Sequence, residues 1–504
     1  LAALVILAWG FYRARPYGKV GILAWLQSVV VMLPWLLFFG LFAVGIYLNL
    51  AGVIFLLVAS IGLYILLGRQ IRTLAKQEGL TKPFSSIAPS AADQPGQTTE
   101  LAQTGSEQTG TEQTGTETKI TPEKLTPSPA VPAAPTIAAE DLQAIKGIFG
   151  VDTFFATETI PYQDGAIFRG NLRGDVDSSY ERLAENLKAR VGDRYRLFLV
   201  EGVEQKPVVV VLPSSNEPRP TSLVQWILAG ILLIATIATC METAGILLNF
   251  DFFNQPQRYA EVLPIAAGIL SVLAAHDIAH RVVASRYQVR LSPPFFLPTL
   301  QLGSLGSLLR FESILPNRSI LFDIGFAGPA AGGLVAFGLL LIGLLLSHPG
   351  SLFQIPAEFF QGSILVGTLA RVVLGTNVQQ ELVDVHPFVV IGWMGLVITA
   401  LNLMPAGQLD GGRIVQAIYG RKVAGRTTVA TLIVLGLASL VNPLALYWAI
   451  LILFLQRDLE RPALNEISEP DDARAALGLL VLFLMAATLL PLTPGLAGRL
   501  GIGG

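Results

Sequence analysis

A single cysteine in 504 residues, Cys240, set inside an apolar run, excludes a disulfide framework within the chain and any zinc site built from several cysteines. A metal, if one is held, must be held by histidine and carboxylate. Charge is scarce too: Asp, Glu, Lys and Arg make up 14% of the residues, the formal net charge is −2, and no basic stripe is interleaved with aromatic residues. That composition excludes nucleic acid as a partner. No complete signal or transit peptide is legible, since residues 1–9 read as the tail of an apolar segment.

Apolar sequence is abundant. Hydrophobic residues reach 52% and the mean hydropathy is +0.59, far above a soluble protein, so the chain is expected to cross a lipid bilayer several times. Two apolar runs, 20–47 and 51–67, are bracketed by Arg13, Arg15 and Lys19 before and by Arg69, Arg72 and Lys76 after. Cations at both ends of a helical hairpin place both ends on the cytoplasmic or stromal side. Further spans are expected at 223–248, 262–284, 320–346, 388–404, 428–441, 443–455 and 475–490, while 355–375, which carries Gln361 and Arg371, suits the interface better than a crossing.

Five segments follow. Residues 1–76 form the first transmembrane segments. Residues 77–137 are rich in Pro, Ser, Thr, Gln and Gly and repeat a five-residue unit from Gln103, Gln108 and Gln113, the composition of a disordered linker. Residues 138–213 read as a small soluble α/β domain, with a helix over 178–190 and strands at 196–201 and 207–212. Within it, the run from Phe168 to Gly174 has two glycines bracketing a polar pair, the chemistry of a tight turn. Residues 222–460 form a transmembrane core, and 461–504 a C-terminal segment with one apolar span. The fold class is therefore an all-α polytopic membrane helix bundle with a small soluble α/β domain and a disordered linker.

Two stretches carry chemistry. His276-Asp277-Ile278-Ala279-His280 lies near the end of an apolar helix, and histidines four apart share one face, so both rings can reach one metal ion. Ionisable groups at membrane depth are costly, which points to function, although an HxxxH pair also occurs as ordinary core packing. Downstream, Asn402-Leu403-Met404-Pro405 followed by Asp410-Gly411-Gly412-Arg413 is expected to end a span in irregular backbone. Such backbone survives at membrane depth only when buried in protein or lining a wet cavity. Asp410 thereby becomes a candidate third ligand, leaving a fourth position open. Arg281, Arg286, Arg290, Arg310, Arg318, Arg413, Arg421, Lys422 and Arg426 all fall on the side of the α/β domain, so the histidine pair lies toward the cytoplasmic or stromal leaflet.

The combination of HDxxH with a distal Asn402-x-x-Pro405 and Asp410-Gly411 resembles the site-2 protease family of intramembrane zinc metalloproteases. The run from Ile145 to Thr159, the stretch Phe168 to Gly174, and Val385-His386-Pro387 look like its cyanobacterial and chloroplast branch, the ethylene-dependent gravitropism-deficient and yellow-green group. The resemblance covers 142–461. It implies that His276, His280 and Asp410 ligate Zn2+, that Asn402 sits near the scissile carbonyl as an oxyanion donor, and that position 277 holds the general base. Here that base is Asp277 where the family has Glu, one methylene shorter, so reach is the open variable.

Between β-prone residues, 291–310 holds three prolines and two glycines and is expected to be extended, with an edge able to accept a substrate strand. Gly328 and Gly332 have the spacing of close helix packing, and His348 and His386 are not expected to be ligands. The implied activity is cleavage of a membrane-protein substrate within or near its transmembrane segment, in a thylakoid or plasma membrane of a cyanobacterium or in a chloroplast membrane. A catalytically impaired relative acting as membrane scaffold or chaperone is the alternative. A secondary transporter would need an internal repeat of broken helices, and none is visible.

Overall fold

The computed structural model describes residues 10–15, 18–43, 48, 50–77, 137–162, 164–202 and 206–502. The expected linker falls, at 78–136, outside the described residues. Two units are distinguished, one of Leu1–Leu33 with Val58–Ala134 and one of Pro34–Leu57 with Pro135–Gly504. Helices α1 (Gly18–Ala43) and α2 (Leu50–Gln77) match the two expected apolar runs. Within the first unit, Ser60 donates to the Val30 carbonyl at 2.5 Å and Gln27 to that of Tyr64 at 3.3 Å.

In the second unit, the short helix α3 (Ala139–Lys146) leads into a compact α/β element. Strands β1 (Phe154–Tyr162) and β2 (Gly165–Leu172) form a hairpin, helix α4 (Val176–Val191) follows, and β3 (Tyr195–Glu201) and β4 (Pro207–Pro213) form a second hairpin. The four strands pair antiparallel in the order β1-β2-β4-β3. Alternation puts Phe168, Leu197, Leu199, Val209 and Val211 on one face, where they bury against Leu183 and Leu187 of α4. Asp175 caps α4 by accepting from Ser178 N, which supplies a partner for an otherwise orphan donor. The expected turn at Phe168 to Gly174 is corrected here, because Phe168 to Leu172 belong to β2. Gly170 lies opposite Ala156 at an irregularity of β1, and a Cβ there would stand 2.1 Å from the Phe155 carbonyl oxygen. The glycine is needed for close approach, not for a reversal of the chain.

The helical part contains α5 (Leu223–Leu247), α6 (Tyr259–Arg286), α7 (Arg318–Leu346), α8 (Ile364–Leu374), α9 (Pro387–Asn402), α10 (Asp410–Ala438), α11 (Pro443–Leu451), α12 (Asp472–Leu489) and α13 (Pro494–Leu500). Among the described residues, five helices are long and apolar enough to cross a membrane, at Gly21–Phe38, Leu223–Leu247, Pro256–Arg286, Arg318–Leu346 and Asp472–Leu489. The expected span at 388–404 is shorter than that. Helix α9 has 16 residues, fewer than the roughly 20 of a full crossing, and it stops at Asn402 where Pro405 forbids continuation. Val272, Ile391, Ala336 and Leu340 pack α6, α7 and α9 into one core, which sets the two candidate stretches side by side.

Between α6 and α7 the proline-rich stretch folds as a hairpin of β5 (Phe295–Thr299) and β6 (Gly303–Leu308). Thr239 and Thr243 of α5 hold it by donating to the carbonyls of Gly303 at 2.6 Å and Leu300 at 3.0 Å. Residues 355–375 also avoid a crossing. Strand β7 (Phe353–Pro356) pairs with β8 (Leu382–Val385), and the short α8 lies between them.

Candidate metal centre

His276 and His280 stand one turn apart on α6, and α7 and the start of α10 close around them. Asp410 Oδ2 lies 3.0 Å from His276 Nε2 and 3.4 Å from His280 Nε2, and the two Nε2 atoms are 3.2 Å apart. His280 and Asp410 are buried and His276 nearly so. Among the described residues, these three form the one group of histidine and acidic side chains able to hold a metal. His348 and His386 stay outside it, His348 beside its own loop carbonyl and His386 capping α9.

The donors fit a small divalent cation. Zinc binds imidazole nitrogen and carboxylate oxygen at roughly 2.0–2.2 Å in tetrahedral geometry, which separates donors by about 3.3 Å. The Nδ1 of His280 is 2.7 Å from the Ile324 carbonyl. A carbonyl can only accept, so Nδ1 carries the proton and Nε2 keeps its lone pair for a metal. Gly328 leaves the space. A Cβ at that position would lie 2.1 Å from His280 Nε2, and one at Gly332 would lie 3.0 Å from His276 Cβ. The Gly328 and Gly332 pair therefore does more than let helices approach: its missing side chains clear the face on which the imidazoles meet.

Asp410 reaches the histidines from an unexpected local structure. The sequence suggests irregular backbone through Asp-Gly-Gly, but the irregular part ends at Leu409, and Asp410 is the first residue of α10. Gly411 and Gly412 are helical and pack on the turn itself, where Cβ atoms would stand 1.8 Å from the Leu403 carbonyl oxygen and 2.3 Å from that of Gly407. Gly407 turns the chain with φ +48. These contacts press the start of α10 against the end of α9 and thereby aim Asp410 at α6.

The other two candidates are differently engaged. Asp277 is buried, and its Oδ2 accepts from Arg281 Nε at 2.7 Å, while Arg281 Nη2 donates to the Ser292 carbonyl at 2.9 Å. Its Oδ1 is buried without a partner. Asn402 Nδ2 donates to the carbonyls of Ile398 at 2.9 Å and Leu305 of β6 at 3.3 Å. Gly306 keeps the strand close, since a Cβ there would meet Asn402 Nδ2 at 2.7 Å. An apolar cavity of about 400 Å³ lies between α7, α9 and α12, lined among others by Phe326, Pro329, Leu396 and Met485, and none of the site residues lines it.

Residues 264–442 match the model of peptidase family M50, and residues 143–218 match the EGY3 middle domain. The chain is 36% identical over 402 residues to "Probable zinc metalloprotease EGY1, chloroplastic" of Arabidopsis thaliana, covering 72% of this chain and 73% of that relative. The chain belongs to peptidase family M50, the site-2 proteases. Identity to "Probable zinc metalloprotease EGY2, chloroplastic" of the same plant is 38% over 360 residues, 70% of this chain and 65% of the relative, so the match spans just under two thirds of that protein. "Probable zinc metallopeptidase EGY3, chloroplastic" of Arabidopsis thaliana is 35% identical over 390 residues, 71% of this chain and 67% of the relative. No solved structure matches the chain. The M50 match contains every metal-ligand candidate, and the α/β element coincides with the EGY3 middle domain.

The sequence marks Arg281 only as one of the same-side cations and Gly328 only as a packing position, while the pairing with Asp277, the Ile324 carbonyl and the space left by Gly328 belong to the structure. The pairing was within reach of the sequence, because a cation four residues after Asp277 on a helix is placed to pair with it. The Ile324 carbonyl leaves no mark in a sequence.

Proposed function

We propose that this protein is an intramembrane zinc endopeptidase that hydrolyses a peptide bond within or near the transmembrane segment of a membrane-protein substrate. The observation that carries the proposal is the convergence of His276 Nε2, His280 Nε2 and Asp410 Oδ2 at 3.0–3.4 Å, with His280 fixed in the ligating tautomer by Ile324. When bound, zinc supplies a Lewis acid and lowers the pKa of water to about 7. Asp277 takes up the proton through Oδ1, a buried oxygen without a protein partner, the unsatisfied state that marks a buried group with a catalytic role. Arg281 steadies the other oxygen. Asn402 lies beside β6 and polarises the scissile carbonyl, which requires its amide to leave the Leu305 carbonyl when substrate enters. The β5–β6 hairpin offers a strand edge for an unwound substrate.

The protein is multi-pass, with the α/β element as a soluble domain on the cytoplasmic or stromal side and the metal site toward the same leaflet. The membrane is a thylakoid or plasma membrane of a cyanobacterium, or a chloroplast membrane; chloroplastic is the word in the names of the relatives.

One contact favours a second reading. The ion pair between Asp277 and Arg281 ties up one carboxylate oxygen, and the side chain is one methylene shorter than Glu, which suits a protein that keeps its metal but acts as membrane scaffold or chaperone. Purified protein tested on a membrane-anchored substrate separates the two. The endopeptidase predicts cleavage that His276→Ala abolishes. A zinc-loaded protein that is inert until Asp277→Glu is introduced overturns it in favour of the scaffold.

A further inference from the structure

Arg413 is among the largest fully buried side chains of the protein, 2% exposed. A guanidinium removed from water is tolerated only when its donors are taken up. Its Nε and Nη2 donate to Glu460 Oε1 at 3.0 and 2.7 Å, Nη2 also donates to the Leu309 carbonyl at 2.6 Å, and Nη1 lies 3.4 Å from Asp410 Oδ1. The Phe311 ring lies under the guanidinium, 4.9 Å from Cζ to centroid. One buried side chain thus joins a candidate metal ligand, the end of the β5–β6 hairpin and Glu460, after the last helix of the core.

Glu460 is gripped in turn. Its N–H donates to Gln416 Oε1 at 3.1 Å, and its carbonyl accepts from Gln416 Nε2 at 3.2 Å and from Arg421 Nη1. Its position lies beyond 442, where the family match ends. Just after it, Leu464 and Asn465 donate backbone N–H groups to the carbonyls of Leu315 and Pro316, Glu466 N–H donates to the carbonyl of Leu199 of β3, and Leu199 N–H donates to that of Leu464. The position of Glu460 is therefore set by several elements at once.

The two oxygens of Asp410 have separate partners. Oδ2 faces the imidazoles, and Oδ1 faces Arg413. We infer that Arg413, oriented by Glu460, is a positioning residue that fixes Asp410 with Oδ2 alone presented to the metal, so the metal site is completed from outside the matched family region. A carboxylate free of that contact can rotate or offer both oxygens, and outer partners of this kind are worth about 10- to 100-fold in metal affinity. The inference rests on the proposed metal reading.

The test uses the full chain in detergent, loaded separately with Zn2+ and with Co2+. It compares wild type, Glu460→Gln, and the double variant Arg413→Met with Glu460→Gln, which removes both charges so that neither is left buried alone. Affinity is read by competition with a chromophoric chelator, and ligand geometry by the visible spectrum of the cobalt form. Glu460→Gln is expected to weaken zinc about tenfold and the double variant by about 10- to 100-fold, with a changed cobalt spectrum. Arg413→Lys, which restores the charge without the fork, recovers part of the affinity. Folded Glu460→Gln and double variants that bind zinc as wild type does, with an unchanged cobalt spectrum, overturn the inference alone. A folded wild type that binds no metal overturns the metal reading and the inference with it.

Discussion

The candidate metal-holding half of the site and the half proposed to break the peptide bond are built differently. In the first, His276, His280 and Asp410 already stand at ligand spacing, His280 is locked by a carbonyl, and Gly328 clears the space between them. In the second, Asp277 is paired with Arg281, and Asn402 spends its amide on two backbone carbonyls. A metal can enter the first half with little rearrangement, whereas catalysis needs at least one polar contact of the second half to open. Under the proposed reading, metal binding and peptide hydrolysis are therefore separable, and substitutions should move them independently.

The largest effect is expected where metal space is removed. Gly328→Val places a side chain at His280 Nε2 and should abolish zinc binding and cleavage together. Gly333→Ala, five residues on along the same helix, meets only Thr399 Cγ2 at 3.6 Å and should leave zinc content unchanged. Zinc retained in Gly328→Val would break the comparison at its firmer end. Next comes the proposed base: Asp277→Asn should lower kcat by about 10²- to 10⁴-fold while zinc stoichiometry by elemental analysis stays at one. An equal loss of zinc would show that the two halves are not independent. Asn402→Ala should cost about a hundredfold in kcat, the scale of a lost oxyanion donor, again without loss of metal. At the far end, Phe168→Ala in the core of the α/β element should destabilise that element by about 3–5 kcal/mol. Thermal unfolding would report this, with zinc affinity of the folded protein unchanged.

The same division explains what was legible in the sequence. The periodicity of four between His276 and His280 survives translation into a helix because both residues lie in one regular element, and the apolar runs of α5, α6, α7 and α12 are long enough to read directly. The end of helix α9 is legible as well, since Pro405 and the short apolar run before it mark a helix that stops short of a full crossing. The start of α10 at Asp410 is harder. Two successive glycines signal a turn locally, and only the packing of Gly411 on the Leu403 carbonyl turns them into helix. The hairpin of β1 and β2 was hidden by Gly170, whose role is to let two strands approach. Arg413 is three residues from Asp410, but Glu460 is distant in sequence, and nothing local marks it as the partner that holds Arg413.

Cleavage of a membrane-anchored reporter by the purified protein in liposomes tests the central claim most directly, measured as isolated, after chelation, and after zinc is returned. The account predicts cleavage that chelation abolishes, that zinc restores, and that is absent in His276→Ala under all three conditions. Cleavage that survives chelation, or that His276→Ala performs as well as wild type, would contradict it.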